Sequence, residues 1–549
     1  MVSRFLAIGS IATSLLLGCS SAPRHSFKGE DVAVPHAPAL SAPATPSAPP
    51  REPRPVSAQA TDEAAAVQDA QDAQGEPPVS PPVTTTDQGD RETDAAQEAQ
   101  AVPPPQPAAS EGPWRAEEAV GAPDWLDIAV EFRARFEGLS EDIRAGRTGN
   151  VQLFVLRTLV AVTARFEPFR ATAELMDSRP TFESNDEDLN ASIVNQVDFL
   201  QLHVGYNARD LWATGDELDL KFGRQTINLG SRRFISRNGF RNTINAFTGL
   251  RGQWLAEDDA AVNAFVVVPV RRLPDELAEI DNDQIEFDEE QWGTRLWNLH
   301  GQKQLFDDQY TGEAWGFWLD ENDRSDDRQT RNRNLVTLGA RLYHFSGPGD
   351  YHFEWESAYQ FGESRSSSNP ANTTDLDHQA HFHHLTLGYR FDSPWTPRLE
   401  ALFDYGSGDK DPNDGNNERF DTLYGSRGFE FGRTGIFGPF TRSNIITPGA
   451  RLWMFPTKKW RLEFMYRPVW LASKTDAWIP TGVRDPSGNS GRFVGELSQF
   501  AFRYDIAPKN VQFDFGLAYL AGGEFSQKAP NSAGPSSTSY VWFGMKFNF

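Results

Sequence analysis

The sequence has a single cysteine, Cys19, so no disulfide can form within the chain. It has no apolar run of transmembrane-helix length beyond its N-terminal segment, which excludes a bundle of membrane-spanning helices. An excess of positive charge is also missing. With 52 Lys and Arg against 76 Asp and Glu, the formal net charge is −24, and this argues against a nucleic-acid partner. Large apolar side chains are almost absent between Ser20 and Trp114, a stretch of Pro, Ala, Gln, Ser and acidic residues that cannot bury enough surface to fold. Residues 19–125 are therefore expected to form a disordered, acidic, Pro/Ala-rich tether, extended where prolines cluster.

Aromatic residues are plentiful: 15 Trp and 39 Phe, in a chain whose mean hydropathy is only −0.53. A transmembrane β-barrel reconciles the two, because its lipid-facing residues alternate with polar lumen residues and aromatic girdles ring both interfaces. From Leu126 onward, segments of about ten residues with period-two alternation recur, the length a tilted strand needs to cross a bilayer. Eighteen are expected, the first near Leu126, the last near Tyr540, with others near Leu153, Glu217, Gly312, His381 and Glu496. In Leu497 to Ile506, Phe500, Phe502, Tyr504 and Ile506 should face out and Gln499, Arg503 and Asp505 in. The connectors alternate in length. Short ones, such as Glu167-Pro168, Ala256 to Asp259 and Pro456 to Lys459, separate long ones, such as Leu229 to Asn245 and Ser407 to Ile446. An up-and-down antiparallel barrel with short periplasmic turns and long outer loops has this pattern, and a Greek-key sandwich does not. The expected organisation is an all-β barrel over 126–549 behind the tether, with an aqueous lumen.

Both ends of the chain carry address-like features. Arg4, the apolar run from Phe5 to Leu17, and Leu16-Leu17-Gly18-Cys19 resemble a lipoprotein signal, with 1–18 removed and Cys19 lipidated. The final strand, YVWFGMKFNF, places Val541, Phe543, Met545, Phe547 and Phe549 on one face. A terminal Phe549 on such a strand resembles the signal read by the barrel-assembly machinery of Gram-negative bacteria, which implies the outer membrane, with its lipid as partner and the tether in the periplasm.

Within Leu218 to Trp254, the runs Phe222-Gly223-Arg224-Gln225, Phe240-Arg241-Asn242 and Phe247-Thr248-Gly249-Leu250-Arg251, with Gly230 and Arg233, resemble the alginate export family of outer-membrane porins. The similarity extends to Asp411 to Tyr424 and to Arg442 to Arg451, but not to the tether. The resemblance implies an eighteen-stranded barrel whose arginine-rich pore passes an anionic polysaccharide such as alginate, with no cofactor and no enzymatic activity. The residues carry part of this on their own. Lys221 shares a strand face with Asp219 and Gly223, opposite Leu218, Leu220 and Phe222. The loop that follows holds Arg232, Arg233, Arg237 and Arg241 with no acidic residue between Gln225 and Gln253, a block of one sign suited to planar recognition of carboxylates. The pore-lining candidates are Lys221, Arg224, Arg233, Arg241, Arg251, Arg341, Arg451, Arg461 and Arg503. Of these Arg224, Arg233, Arg241 and Arg251 match the family motif; the others, with the further candidates Arg157, Arg295 and Arg467, rest on strand parity alone, and Asp404 and Asp505 would moderate the hold on substrate. The alternative for any one arginine is a structural pair with a wall carboxylate.

Two other functions stay open: a general or nutrient-uptake porin for oligosaccharides or small acids, and a barrel hydrolase assembled from distant strands. No nucleophile elbow or zinc-protease motif is present. Ser407 to Gly415 fails the calcium-loop pattern, with Asp414 where glycine is required and Phe420 where glutamate is required. His378, His381, His383 and His384 should split across both faces of one strand, so no metal site is expected there.

Overall fold

The computed structural model describes residues 114–549, apart from 185–188, 258, 283, 307–308, 324–329, 346, 370, 433–434 and 535–536. The expected signal, Cys19 and most of the tether lie outside the described residues. The last part of that tether, 114–125, is structured: a short helix, α1 (Ala116–Val120), leads into the first strand. Trp114 stacks on the terminal Phe549 (ring centroids 6.2 Å apart), and its main-chain N–H donates to Asn510 Oδ1 at 2.8 Å. These tertiary contacts, with residues at the other end of the chain, order a segment whose own composition does not.

The strands are β1 (Leu126–Leu139), β2 (Val151–Phe166), β3 (Phe169–Glu183), β4 (Asn195–Arg209), β5 (Glu217–Gln225), β6 (Phe247–Leu255) and β7 (Ala261–Arg271). After the two-residue β8 (Glu289–Glu290) come β9 (Thr294–Leu305), β10 (Tyr310–Glu321), β11 (Asn334–His344), β12 (Asp350–Ser364), β13 (Leu376–Arg390) and β14 (Arg398–Gly406). A second two-residue strand, β15 (Asn416–Asn417), precedes β16 (Ile445–Thr457), β17 (Trp460–Trp470), β18 (Phe493–Ala507), β19 (Val511–Gly522) and β20 (Ser537–Asn548). Setting aside β8 and β15, the remaining eighteen pair antiparallel in sequence order, with β7 passing to β9 and β14 to β16. Pairing of β1 with β20 closes the ring, and the Phe136 and Phe543 rings stack across this seam at 5.1 Å. The starts expected at Leu153, Gly312, His381 and Tyr540 fall two to five residues inside the strands.

Alternation places the side chains as the period-two pattern requires. On β20, Tyr540 and Trp542 are fully buried toward the interior while Phe543 and the terminal Phe549 are exposed outward. Phe222, Leu202, Val204 and Leu299 are each more than half exposed on the outer wall, as lipid-facing residues must be in a chain considered without its bilayer. No helix among the described residues is long and apolar enough to cross a membrane. The connectors alternate throughout, short between β2 and β3 or β16 and β17, long over 226–246, 272–293, 407–444 and 471–492.

Gly223, in the middle of the Phe-Gly-Arg-Gln run, has φ +126°, and a Cβ there would overlap the Leu202 carbonyl of the neighbouring strand. Gly223→Ala is expected to cost about 1–3 kcal/mol, measured as a lower urea midpoint for barrel unfolding in detergent; an unchanged midpoint would contradict this.

Candidate substrate path

Loop 226–246 turns inward and crosses the barrel. The carbonyls of Gly239, Phe240 and Arg241 in this loop face the wall, and a buried carbonyl needs a donor. Three inward arginines of the wall supply them, one of which, Arg135 on β1, donates to the Phe240 carbonyl. Arg133 on β1 donates from Nη1 to the carbonyls of Gly239 (2.5 Å) and Phe240 (3.0 Å), and from Nη2 to that of Arg241 (2.6 Å). Arg157 on β2 donates from Nη1 to the carbonyls of Gly239 (2.7 Å) and Arg241 (3.0 Å). Arg157 is itself held by Glu131 at 2.6 Å, and Arg237 of the loop pairs with Glu174 at 2.6 Å.

Loop 407–444 comes in from the opposite wall and meets the first loop. Ile235 and Tyr424 form a parallel bridge, and Phe234 packs against Phe420 of this loop and against Trp315, Phe317 and Phe382 of the wall. The result is an apolar core inside the barrel, including Ile227, Ile235, Phe247 and Leu423, all buried. Loop 471–492 joins loop 407–444 in a second apolar cluster through Trp478, which stacks on Phe440 and whose Nε1–H donates to the Pro439 carbonyl at 2.6 Å.

Beside this core runs an ionic network. Arg233, 2% exposed, reaches Glu354 at 2.5 Å and also bonds Glu356 and Glu430. Arg341 bridges Glu354 (2.8 Å) and Glu313 (3.3 Å). His384 links Glu354 (3.7 Å) to Asp404 (2.6 Å), and Arg467 bonds the other oxygen of Asp404 at 2.7 Å. Arg442 pairs with Glu430, and Arg451 lies 3.2 Å from Glu463 and 3.8 Å from Glu400. Among the loop groups, burial opposes the charge of Arg233, but Glu354, Glu430 and Glu356 outweigh it and hold the guanidinium well above its ordinary range.

The candidates separate accordingly. Arg233, Arg341, Arg451 and Asp404 converge in the network, with Arg467 added, so the alternative of structural pairing describes them. Arg241 lies in the inserted loop, its guanidinium 3.0 Å from Asn245 Oδ1 and its carbonyl held by the wall. Lys221 and Arg251 are cross-strand neighbours on the inward face, Lys221 near Asp219 at 4.0 Å and Arg251 bonded to Asn263 at 3.1 Å. Arg461 and Arg503 are cross-strand neighbours as well, Arg461 over the Trp453 ring and Arg503 3.1 Å from Asp514. Asp505, inward on β18, accepts from Gln512 at 3.1 Å. Two expectations are corrected. Arg224 shares the outward parity of Phe222 and bonds Glu290 at 2.9 Å, and Arg295 is exposed on the outward parity of Trp297 and Leu299.

Below the inserted loop, Arg133, Arg135, Arg157, Lys546, Asp514 and Trp542 line a recess. The carboxylates Glu131, Glu313, Glu354 and Glu430 were not singled out in the sequence, and His384 was noted only as one of a histidine cluster; inward parity was the available signal for those on strands. Among the described residues no group of three or more His, Cys, Asp or Glu is arranged to hold a metal.

A model of the alginate export family matches residues 124–539. No curated protein matches the chain significantly. Of solved structures, Pseudomonas aeruginosa OccK2 (OpdF) in complex with glucuronate is 12% identical, with TM-score 0.49, covering 77% of this chain and 98% of its own. Pseudomonas aeruginosa OpdK with vanillate gives 11%, 0.49, 77% and 98%, and OccK11 (OpdR) of the same organism 11%, 0.47, 77% and 96%.

Arg233→Ala leaves the buried Glu356 without its cation and takes one cation from Glu354 and Glu430, which keep Arg341 and Arg442, a loss on the order of 3–5 kcal/mol. The variant is expected to release loop 226–246, seen as new protease cleavage there and a larger single-channel conductance; a wild-type conductance and digest would contradict it. Loop 407–444 should respond to pH in two directions. Burial, then Asp476, push the Asp409 carboxyl up to about 6, so docking is increasingly favoured as pH falls through that value toward about 4. Burial opposes ionisation of Asp421, but Arg333 and Arg331 hold it well below the ordinary carboxyl range, so its contribution is complete above about pH 4 and lost on further acidification. Amide protection of 407–444, corrected for intrinsic exchange, is therefore expected to peak between about pH 4 and 6, and a steady fall from pH 7 to 3 would contradict this.

Proposed function

The chain belongs to the alginate export family, and on that premise we propose that it is an outer-membrane channel passing alginate or a related anionic polysaccharide outward by passive diffusion. The barrel and the family point to a channel rather than an enzyme. The observation that supports the acidic cargo is the basic recess beneath the inserted loop, where Arg133, Arg135, Arg157 and Lys546 gather in a chain of net charge −24. Carboxylates of a uronate chain meet guanidinium donors there, in the planar geometry that arginine supplies best. Lys221 with Arg251, and Arg461 with Arg503, extend the positive wall on other strands.

Glu131, Asp514 and Asp505 stand among these cations, and their role in the proposal is moderation. A polymer that bound tightly at each step would stop, so a path needs sites that release as well as hold. The heavily paired arginines of the network, Arg233 and Arg341 among them, act as scaffold for the inserted loops, and the path runs past the cations of the recess. The tether and a lipidated Cys19 would keep the N-terminal region in the periplasm, and Phe549 would serve recognition by the assembly machinery.

Planar-bilayer recordings test the reading. Anion selectivity in a salt gradient, with block by mannuronate or guluronate oligomers and none by neutral malto-oligomers, is expected. A weakly selective pore indifferent to both sugars would overturn the acidic-polysaccharide assignment and favour a general porin. Lys546→Glu combined with Arg133→Gln should weaken the uronate block about ten-fold or more, a change of about 1.4 kcal/mol.

A further inference from the structure

His381 and His383 of β13 play no part in the lumen. Two residues apart on one strand, both point outward, while His378 and His384 point in and are buried. Below them on the same face come Leu385, Leu387 and Tyr389, and above them the exposed Gln379 and Asp377. The pair therefore stands where the outer wall changes from apolar to polar, on the side of the long loops. Tyr405 stacks on His381 at 5.1 Å and 16°, and Tyr359 lies on its other side at 6.0 Å and 25°. Such rings belong to an interfacial girdle, within reach of water and ions.

The two imidazoles are held in a particular relation. His381 Nδ1 lies 3.1 Å from His383 Nε2, and His383 Nδ1 lies 2.9 Å from Ser357 Oγ. Two ring nitrogens this close repel through their lone pairs unless a proton or a cation sits between them. At the usual zinc–nitrogen distance of about 2.0–2.1 Å, a 3.1 Å separation corresponds to an N–metal–N angle of about 100°, inside the range that Zn²⁺ and Cu²⁺ accept. Ser357 can accept the His383 Nδ1–H, which leaves Nε2 free to ligate and fixes the ring, as an outer-shell partner does. The proton shared by the rings then moves to His381 Nε2, so binding needs no net proton loss from neutral imidazoles.

We propose that His381 and His383 form a two-histidine site for a borderline divalent cation, Zn²⁺ or Cu²⁺, on the outer rim of the barrel wall, with the remaining positions taken by water. The all-imidazole donor pair excludes Ca²⁺ and Mg²⁺, which take oxygen ligands. The flanking tyrosines limit the rotation of His381 and hold the pair ready to chelate.

The full chain in detergent, titrated with Cu²⁺ and followed by electron paramagnetic resonance, tests this, with Zn²⁺ calorimetry in parallel. Because the chain has other histidines, the readout is the difference between wild type and the His381→Ala/His383→Ala variant. Wild type is expected to bind one more equivalent and to show nitrogen hyperfine structure from two imidazoles that the double variant lacks. Ser357→Ala should weaken that equivalent about ten-fold while leaving its stoichiometry unchanged. Identical stoichiometry and spectra for wild type and the double variant would overturn the proposal. Should the double variant fail to fold, His381→Asn and His383→Asn singly carry the same test, since loss of either ring removes the chelate.

Discussion

Everything inside this barrel depends on finding donors for the backbone of a loop that has left its strands. Loop 226–246 carries carbonyls into the interior, and Arg133 and Arg157 meet them with guanidinium N–H groups from the wall. One arginine can serve three carbonyls because its donors fan out in a plane. Once those carbonyls are held, Phe234 and Ile235 reach the interior and Arg233 reaches Glu354, Glu356 and Glu430. Loop 407–444 then has an apolar surface to pack on.

Charge inside the barrel thus falls into two kinds. The arginines of the network are nearly neutralised by neighbouring carboxylates, and a buried pair of this type fixes geometry more than it adds stability. In the recess Arg157 is paired with Glu131 and Arg135 with Glu137, while Arg133 holds carbonyls, which carry no net charge, so with Lys546 part of the positive field survives. This division explains how a protein with many inward arginines and many inward acids can still present a basic surface in one place.

The wall of the barrel was legible in the sequence because alternation and connector length are local signals; the faces of β18 and β20 follow from them, while the count of eighteen is also what the family resemblance implies. Arg224 was drawn into the pore set by its place in a motif, although its parity with Phe222 already placed it outside. Arg295 was misread for a different reason. Next to the inserted core, the inward residues Leu296, Trp315 and Phe317 are as apolar as the outward ones, so hydrophobicity no longer marks the face. The pairing of Arg233 with Glu354 and Glu430 joins residues more than a hundred positions apart, and no local pattern encodes it. The order of 114–125 was hidden likewise, since its partners Asn510 and Phe549 stand at the other end of the chain.

The central claim is that the inserted loop, held by wall arginines, sets the bore of the channel. Its most direct test is the single-channel conductance of a variant in which 231–243 is replaced by a short turn. The account predicts a conductance several times that of wild type and a weaker block by uronate oligomers. A conductance equal to that of wild type would contradict it and would place the constriction elsewhere in the barrel.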